Sequence, residues 1–337
     1  MSSGLTFAFV MDPISSIDIR CDTTFVLMLE SQRRGHRLLY LEQPDLGVDA
    51  ARGPVARVRP VTLRREVGRH ADLGEPQLVA LDDAADVVFQ RKDPPVDADY
   101  ITATQILSLC RKAMVLNRPE SILAANEKLY AMHFADLMPR TRVTRSIVEL
   151  RALLDELGGE MIVKPLDGRG GEGIFHVSAR DRNLVSILEQ STRFGTRPVM
   201  GQEYLPSVRQ GDKRILLVDG EPIGALLRVP SEHEHRANLH VGGRAAKTDL
   251  DDDDRAIVER VGPSLRRDGL FFVGLDVIGG RLTEVNVTSP TGVQEIDAIE
   301  GRSLEADVID AVERRLEARA AAPSDGERGR SRSAGGA

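Results

Sequence analysis

The sequence predicts a mixed α/β fold built from more than one unit, and three observations carry that prediction. Residues 5–11 are an apolar run of strand length, 23–34 show helical periodicity through Phe25, Leu27, Met28 and Leu29 with Gly35 as a stop, and 36–41 are a second apolar run. This β-α-β start is the unit of a doubly wound sheet. Extended and helical segments then follow one another without the regular alternation of a TIM barrel. With 337 residues, 41% of them hydrophobic, the chain has material for two or three compact units.

A further strand is expected at 86–90, and the N-terminal unit closes near Asn117-Arg118-Pro119, giving a first domain over 1–120. A helix over 121–134 follows, then a strand at 142–144, a helix at 146–157 and strands at 161–164 and 199–204; these make a second unit, 121–202. Strands at 214–218 and 221–228, a helix at 252–267 and paired strands at 271–278 and 281–287 make a third, 203–319. The acidic run from Asp249 to Asp254 reads as a helix N-terminus, where negative charge is favoured. Residues 320–337 are rich in Ala, Gly, Ser, Arg and Asp, cannot bury a core and are expected to be disordered.

Forty-five basic against 52 acidic residues give a formal net charge of −7, which argues against a general nucleic-acid binder. No apolar run approaches the roughly 20 residues of a membrane span, and the first residues lack the basic and apolar regions of a signal peptide. The two cysteines, Cys21 and Cys110, make neither a disulfide framework nor a metal finger. A reduced, cytoplasmic protein is expected.

Three features point to chemistry. Lys164 ends an apolar strand and is followed by Pro165-Leu166-Asp167-Gly168-Arg169-Gly170-Gly171-Glu172-Gly173. So many glycines let backbone N–H groups approach an anion, and the lysine supplies a point charge to a phosphate. The loop is neither a Walker A motif nor a Rossmann fingerprint, and a flexible surface turn is the plainer alternative. Second, Asp276 lies in an apolar strand and Glu284 and Asn286 on the next, the latter two sharing a face. Their oxygens suit magnesium shared with phosphates; a salt bridge is the alternative for Asp276. Third, Arg214 and Arg228 flank apolar strand runs and are placed to clamp a carboxylate, whereas Lys128 and Arg236 stand in less informative surroundings. Together these features describe a nucleotide-binding α/β enzyme that uses magnesium.

The register of the last hairpin decides whether the acidic set shares a face. A two-residue turn at Gly279-Gly280 pairs Asp276 with Thr283 and separates it from Glu284; a three-residue loop centred on Gly280 opposes Asp276 and Glu284. The second is expected, with Asp276, Glu284 and Asn286 facing the loop at Gly168–Gly173.

The strings Val10-Met11-Asp12-Pro13-Ile14, Arg91-Lys92-Asp93-Pro94-Pro95, Asn126-Glu127-Lys128-Leu129, Lys164-Pro165-Leu166-Asp167-Gly168, Gly211-Asp212-Lys213-Arg214, Val218-Asp219-Gly220-Glu221-Pro222 and Glu284-Val285-Asn286-Val287-Thr288-Ser289-Pro290-Thr291 occur in this order. In these strings, spread over residues 5–316, the chain resembles the bacterial glutathione synthetases, and the last string is the most specific. The resemblance implies a pre-ATP-grasp domain followed by a two-subdomain ATP-grasp fold, and an ATP-dependent ligase that joins γ-glutamylcysteine to glycine. It implies ATP contacts at Lys128, Lys164, Gly168, Gly170, Gly171, Gly173, Glu203, Tyr204, Leu205 and Asp212. It implies Mg²⁺ (or Mn²⁺) ligands at Asp276, Glu284 and Asn286. Arg214, Arg228, Arg236 and Ser289 would meet the dipeptide, with Lys164, Arg214 and Arg228 stabilising the reacting groups, and a homo-oligomer, typically a tetramer, is implied.

One stretch departs from the family pattern. The mobile lid corresponds to 229–243, where this chain carries His233, His235, His240 and Val241 in place of small or polar residues. A solvated lid is expected there, with a metal site as the alternative, and the departure bears on the amine acceptor. Two other functions remain: a related ligase for a different acid or amine, and a non-catalytic nucleotide-binding protein, which would be expected to lose metal ligands.

Overall fold

The computed structural model describes residues 4–168, 170–231 and 242–321. Its first layer is a mixed eight-stranded sheet: β1 (Thr6–Val10), β2 (Arg37–Leu41), β3 (Leu46–Asp49), β4 (Gly53–Leu63), β5 (Ala71–Leu73), β6 (Gln77–Ala80), β7 (Val87–Gln90) and β8 (Met114–Leu116). The order is β3-β4-β2-β1-β7-β8, with β5 and β6 also on β4. Helices α1 (Thr23–Arg33), α2 (Leu81–Ala84) and α3 (Ala98–Leu107) belong to this layer.

Only β2-β1-β7-β8 is parallel, as a doubly wound sheet requires. Phe7, Phe9 and Met11 enter a core with Phe25 and Leu27 of α1, while Ala8 and Val10 enter the opposite core with Leu107 of α3. Burial on both faces is why β1 reads as a continuous apolar run. The ribbon β3–β6 is antiparallel and has no counterpart in the expected elements. Its strands are short or interrupted by Arg57, Arg59 and Pro60, so neither periodicity stands out.

Helices α4 (Pro119–Ala124) and α5 (Glu127–Ala131) replace the single helix expected over 121–134. Asn126 breaks it: its Oδ1 accepts from the Lys128 and Leu129 amides, and its Nδ2 donates to Leu166 O at 2.9 Å. The second layer is an antiparallel sheet of β9 (Thr141–Thr144), β10 (Glu160–Pro165), β11 (Phe175–Ser178) and β12 (Val199–Glu203), in the order β11-β10-β12-β9. It is backed by α6 (Ile147–Glu156) and α7 (Leu184–Ser191) through Leu150, Leu153, Val163 and Leu188.

The third layer is an antiparallel sheet of β13 (Asp212–Val218), β14 (Glu221–Val229), β15 (Arg244–Lys247), β16 (Phe272–Ile278) and β17 (Arg281–Asn286), in the order β15-β14-β13-β16-β17. Helix α8 (Asp252–Asp268) covers one face through Ile257, Val261 and Leu265. Asp251 and Asp254 form its capping box, as the acidic run led one to expect, and Gly269 ends it in the left-handed region. Helices α9 (Val293–Glu300) and α10 (Leu304–Ala321) carry the chain back to the first layer. There Arg34 pairs with Asp310 and Glu313 of α10, and Val308 and Val312 join the core of β1 and α1. Of residues 320–337, expected to be disordered, Ala320 and Ala321 instead complete α10, and 322–337 lie outside the described residues.

A half-buried carboxyl lies at the join between α9 and α10. Asp297 accepts from Leu304 N at 2.7 Å. Burial, with Glu305 beside it, pushes its carboxyl up to about 7 from 3.8. A carboxyl raised on folding stabilises the fold while protonated and loses that contribution as pH climbs from its unfolded value toward its folded one. Asp297→Asn keeps the acceptor without the charge. It should therefore raise Tm at pH 8 and leave it near the parent value at pH 5; a Tm difference independent of pH would contradict this.

Candidate active site

The three layers enclose one cavity of about 970 Å³. Its floor is a face of the third sheet, where register puts charges side by side. Asp212 is opposite Arg228 across β13 and β14, Arg214 opposite Asp276 across β13 and β16, and Asp276 opposite Glu284 across β16 and β17. The result is a buried ladder. Arg214 grips Asp276 with Nε to Oδ1 at 2.6 Å and a terminal nitrogen to Oδ2 at 3.1 Å; Arg228 reaches Asp212 at 2.6 Å and Asp276 Oδ1 at 3.0 Å. A Cβ at Gly274 would lie 3.0 Å from Arg214 Cδ, so a side chain there would press on the arginine that grips Asp276.

The ladder divides its charges unequally. Burial alone would raise the Asp276 carboxyl, but two guanidiniums hold it well below the usual range. Asp212 has one hydrogen bond to the shared Arg228 and an unpartnered buried Oδ1, so burial pushes it up to about 6.

The last hairpin reaches the expected pairing by another route. Ile278 pairs with Arg281, so the turn is the two-residue Gly279-Gly280, both with φ above +50°. A β-bulge after Val277–Leu282 then inserts Thr283 as an extra residue, and Asp276 faces Glu284. The three-residue loop is thus corrected, while the opposition of the two carboxylates stands. The bulge is used: Thr283 Oγ1 donates to Asp276 O at 3.1 Å, and Thr283 O accepts from Lys164 Nζ at 3.2 Å.

Two lysines come down on this floor. Lys128, placed by the Asn126 cap, donates to Glu284 Oε1 at 2.8 Å and to Gly168 O at 2.9 Å. Lys164, at the end of β10, is buried with no carboxylate paired to it among the described residues; burial, with Lys128 nearby, pushes its ammonium down to about 8. The glycine loop follows. Gly170, Gly171 and Gly173 take positive φ, and a Cβ on Gly168 would lie 2.7 Å from Pro165 Cγ. Leaving β12, the chain crosses from the second sheet to the third, and there Glu203, Tyr204 and Leu205 line the cavity. The Tyr204 ring stacks on His176 at 3.9 Å between centroids.

The cavity therefore brings together Lys128, Lys164, Gly168, Gly170, Gly171, Glu203, Tyr204, Leu205, Asp212, Arg214, Arg228, Asp276, Glu284, Asn286 and Ser289. Gly173 shapes the loop without lining the cavity, and Arg236 with His233, His235, His240 and Val241 lies outside the described residues. The salt-bridge alternative for Asp276 holds in this arrangement. Among the described residues no three His, Cys, Asp or Glu side chains are grouped to hold a metal by themselves.

Sequence reasoning missed four participants. Glu127, whose Oε1 accepts from the Val287 and Thr288 amides and the Thr288 hydroxyl, anchors the segment after β17 to α5. Thr283 and His176 have no local signature. Arg91 did have one, a cation directly after an apolar strand, yet it carried no assigned role.

The described architecture and comparison with known proteins agree. Family models described as the N-terminal domain and the ATP-grasp domain of prokaryotic glutathione synthetase match residues 5–122 and 127–301. The glutathione synthetase of Mesorhizobium japonicum is 47% identical over 310 residues, covering 92% of this chain and 98% of that relative. That of Salmonella typhimurium is 45% identical over 315 residues, covering 93% and 99%. Among solved structures, D-cycloserine synthetase matches with a TM-score of 0.66 at 16% identity over 92% of this chain and 99% of that one. An ATP-grasp ligase complexed with a precursor peptide and AMPPNP matches at 0.58 and 17% over 93% and 98%. At such identities these two structures speak for the fold alone.

Two expectations follow from the lysine pocket. The charged form of Lys164 exists below about pH 8, so kcat/KM for ATP should fall as pH rises through that value. Lys164→Arg should abolish this inflection, and Lys164→Met should lose about 10- to 1,000-fold at pH 7; an unchanged inflection in the arginine variant would remove Lys164 from the site. Deleting Thr283 keeps Asp276 opposite Glu284 but withdraws the carbonyl that holds Lys164. It should raise KM for ATP several-fold with Tm little changed, and unaltered ATP kinetics in the folded variant would make the bulge incidental.

Proposed function

This chain belongs to the prokaryotic glutathione synthetase family, and we propose that it condenses γ-glutamylcysteine with glycine at the expense of ATP. The support is the near full-length match to glutathione synthetases combined with one cavity that collects the cations, the glycine loop and the carboxylates such a reaction uses.

A carboxylate is a poor electrophile. In the first step a cysteinyl carboxylate oxygen bonds to the γ-phosphorus of ATP and the bond to ADP breaks, leaving an acyl phosphate. In the second, the glycine amine bonds to the acyl carbon, phosphate departs with the activating oxygen, and the amine proton goes to solvent or the leaving phosphate. Both steps gather negative charge on oxygen, so catalysis is positioning and electrostatic stabilisation. Lys128 and Lys164 hold the phosphates while the loop at 168–173 closes over them. Glu203, Tyr204 and Leu205 border adenine, and Asp212 lies on the ribose side. Arg214, Arg228 and Ser289 orient the dipeptide, and the family resemblance assigns Arg236 to the same substrate. No side-chain nucleophile is required, and burial pushes the thiol of Cys110 up to about 12.

The donor set is compatible with magnesium or manganese. Glu284 and Asn286 are half-buried at the cavity wall, and Asp276 Oδ2 accepts one bond and so retains a lone pair. These three would hold the ion together with ATP oxygens, and when bound it would offset phosphate charge. We take 1–120, 121–202 and 203–319 as the working units, and a cytoplasmic homo-oligomer, a tetramer, as the working form. No helix among the described residues is long and apolar enough to cross a membrane.

Purified protein with MgATP, γ-glutamylcysteine and glycine should release phosphate and form glutathione in equal amounts. Turnover only with another acid–amine pair would overturn the substrate and keep the ligase; ATP binding without turnover of any pair would favour a non-catalytic role.

A further inference from the structure

The second sheet turns one row of side chains toward the cavity, and the row crosses all four strands. His176 on β11 is opposite Ile162 on β10, Ile162 opposite Gln202 on β12, and Gln202 opposite Thr141 on β9. Directly opposed residues share a face. Met161 and Val163, on either side of Ile162, enter the core beneath α6 and α7, so the row points the other way, where Ile162 and Gln202 line the cavity. Gln202 is fixed by its Nε2, which donates to Thr141 Oγ1 at 2.8 Å. Tyr204 comes two residues later, just past the end of β12, and it too lines the cavity.

His176 meets the site only through Tyr204. The two rings stack with centroids 3.9 Å apart and an interplanar angle of 19°, and His176 itself does not line the cavity. Its Nε2 lies 3.9 Å from Oε1 of Glu160 on the neighbouring strand. Tyr204 opens the crossover from the second sheet to the third, which continues as a short 3-10 turn at Pro206–Arg209 before β13 begins at Asp212. A side chain in such a crossover is placed by what it packs on, not by strand register. β11, in contrast, is held by its pairing with β10 from Glu160↔Ser178 to Val163↔Phe175, whatever the ring at 176 does.

We infer that His176 is a positioning residue for the nucleotide base: its ring fixes Tyr204 as the base-side wall of the cavity and ties that wall to the second sheet. The inference rests on the part of the proposed function that puts adenine beside Glu203, Tyr204 and Leu205. A wall set before the ligand arrives need not be ordered on binding, and affinity gains by the cost avoided. The phosphates are left to Lys128, Lys164 and the glycine loop, whose exit strand keeps its backbone pairing without the imidazole. Loss of the stack therefore falls on the base half of the nucleotide and spares the phosphate half.

The test measures binding by calorimetry with two probes, magnesium AMPPNP, which carries the base, and magnesium tripolyphosphate, which lacks it. His176→Ala should weaken AMPPNP about 3- to 10-fold, the worth of one aromatic stack, and leave tripolyphosphate at the wild-type value. His176→Phe keeps a flat ring against Tyr204 and should restore AMPPNP. In turnover the alanine variant should raise KM for ATP by the same factor, with kcat and KM for γ-glutamylcysteine unchanged. His176→Leu fills the space without a flat ring and decides the matter if the alanine variant does not fold. Equal weakening of both probes, an unchanged AMPPNP affinity, or a phenylalanine variant no better than alanine would overturn the inference. A wild-type chain that binds AMPPNP no more tightly than tripolyphosphate would overturn the adenine-side reading and the role of His176 with it. A wild-type chain that makes no glutathione, with the AMPPNP loss and its rescue intact, would overturn the proposed substrates and leave the positioning role standing.

Discussion

Asp276 carries two arginines in a place where water cannot. Its carboxylate is buried, and a buried charge persists only if it is paired and hydrogen-bonded. Arg214 and Arg228 meet that demand, Asp212 shares Arg228, and the strand register that aligns them is the register of the whole third sheet. Moving any of these strands by one residue would send its charges into the apolar core against α8. The ladder is therefore both a functional surface and the constraint that ties β14, β13 and β16 together.

The other layers are organised around what the ladder leaves unfinished. Lys128 reaches Glu284 because Asn126 interrupts a helix, and Lys164 reaches Thr283 because a bulge turns one extra carbonyl toward it. Each irregularity, a broken helix and a bulged strand, departs from ideal local structure at a point where a cation must be aimed. Asn117 performs the corresponding task between layers, bonding to Phe272 N, Phe272 O and Val287 O, so the end of the first sheet is keyed to β16 and to the segment after β17. The segment 288–292 is then held by Glu127, Arg91 and Arg214. A cavity made from three layers is held open by polar contacts that cross them, while the apolar cores give each layer its shape.

The cations in the cavity fall into two kinds. Lys128, Arg214 and Arg228 are neutralised by protein carboxylates. Lys164 and Arg91 instead donate to carbonyls or a hydroxyl, with carboxylates acting on them only from farther off. They stand on different sheets, the second and the first.

Much of this was legible in residue order. The apolar runs of β1, β2, β7, β13, β14 and β16 stand out because those strands are buried or half-buried, and the acidic start of α8 follows from local electrostatics. The strings around Lys128, Lys164 and Glu284 carried the family resemblance, since each packs several polar residues into a few positions. The sequence by itself determined which groups would be available: two lysines, two arginines in apolar strands, a glycine loop and a spaced acidic set. Only the tertiary structure decided their pairing. Asp276 chooses arginines from β13 and β14, Thr283 bulges to meet a lysine more than a hundred residues earlier, and Arg91 bonds to a threonine hydroxyl and a carbonyl. The physical reason is that periodicity and propensity are local, whereas the cost of burying a charge depends on what lies within a few ångströms, and those neighbours come from distant parts of the chain.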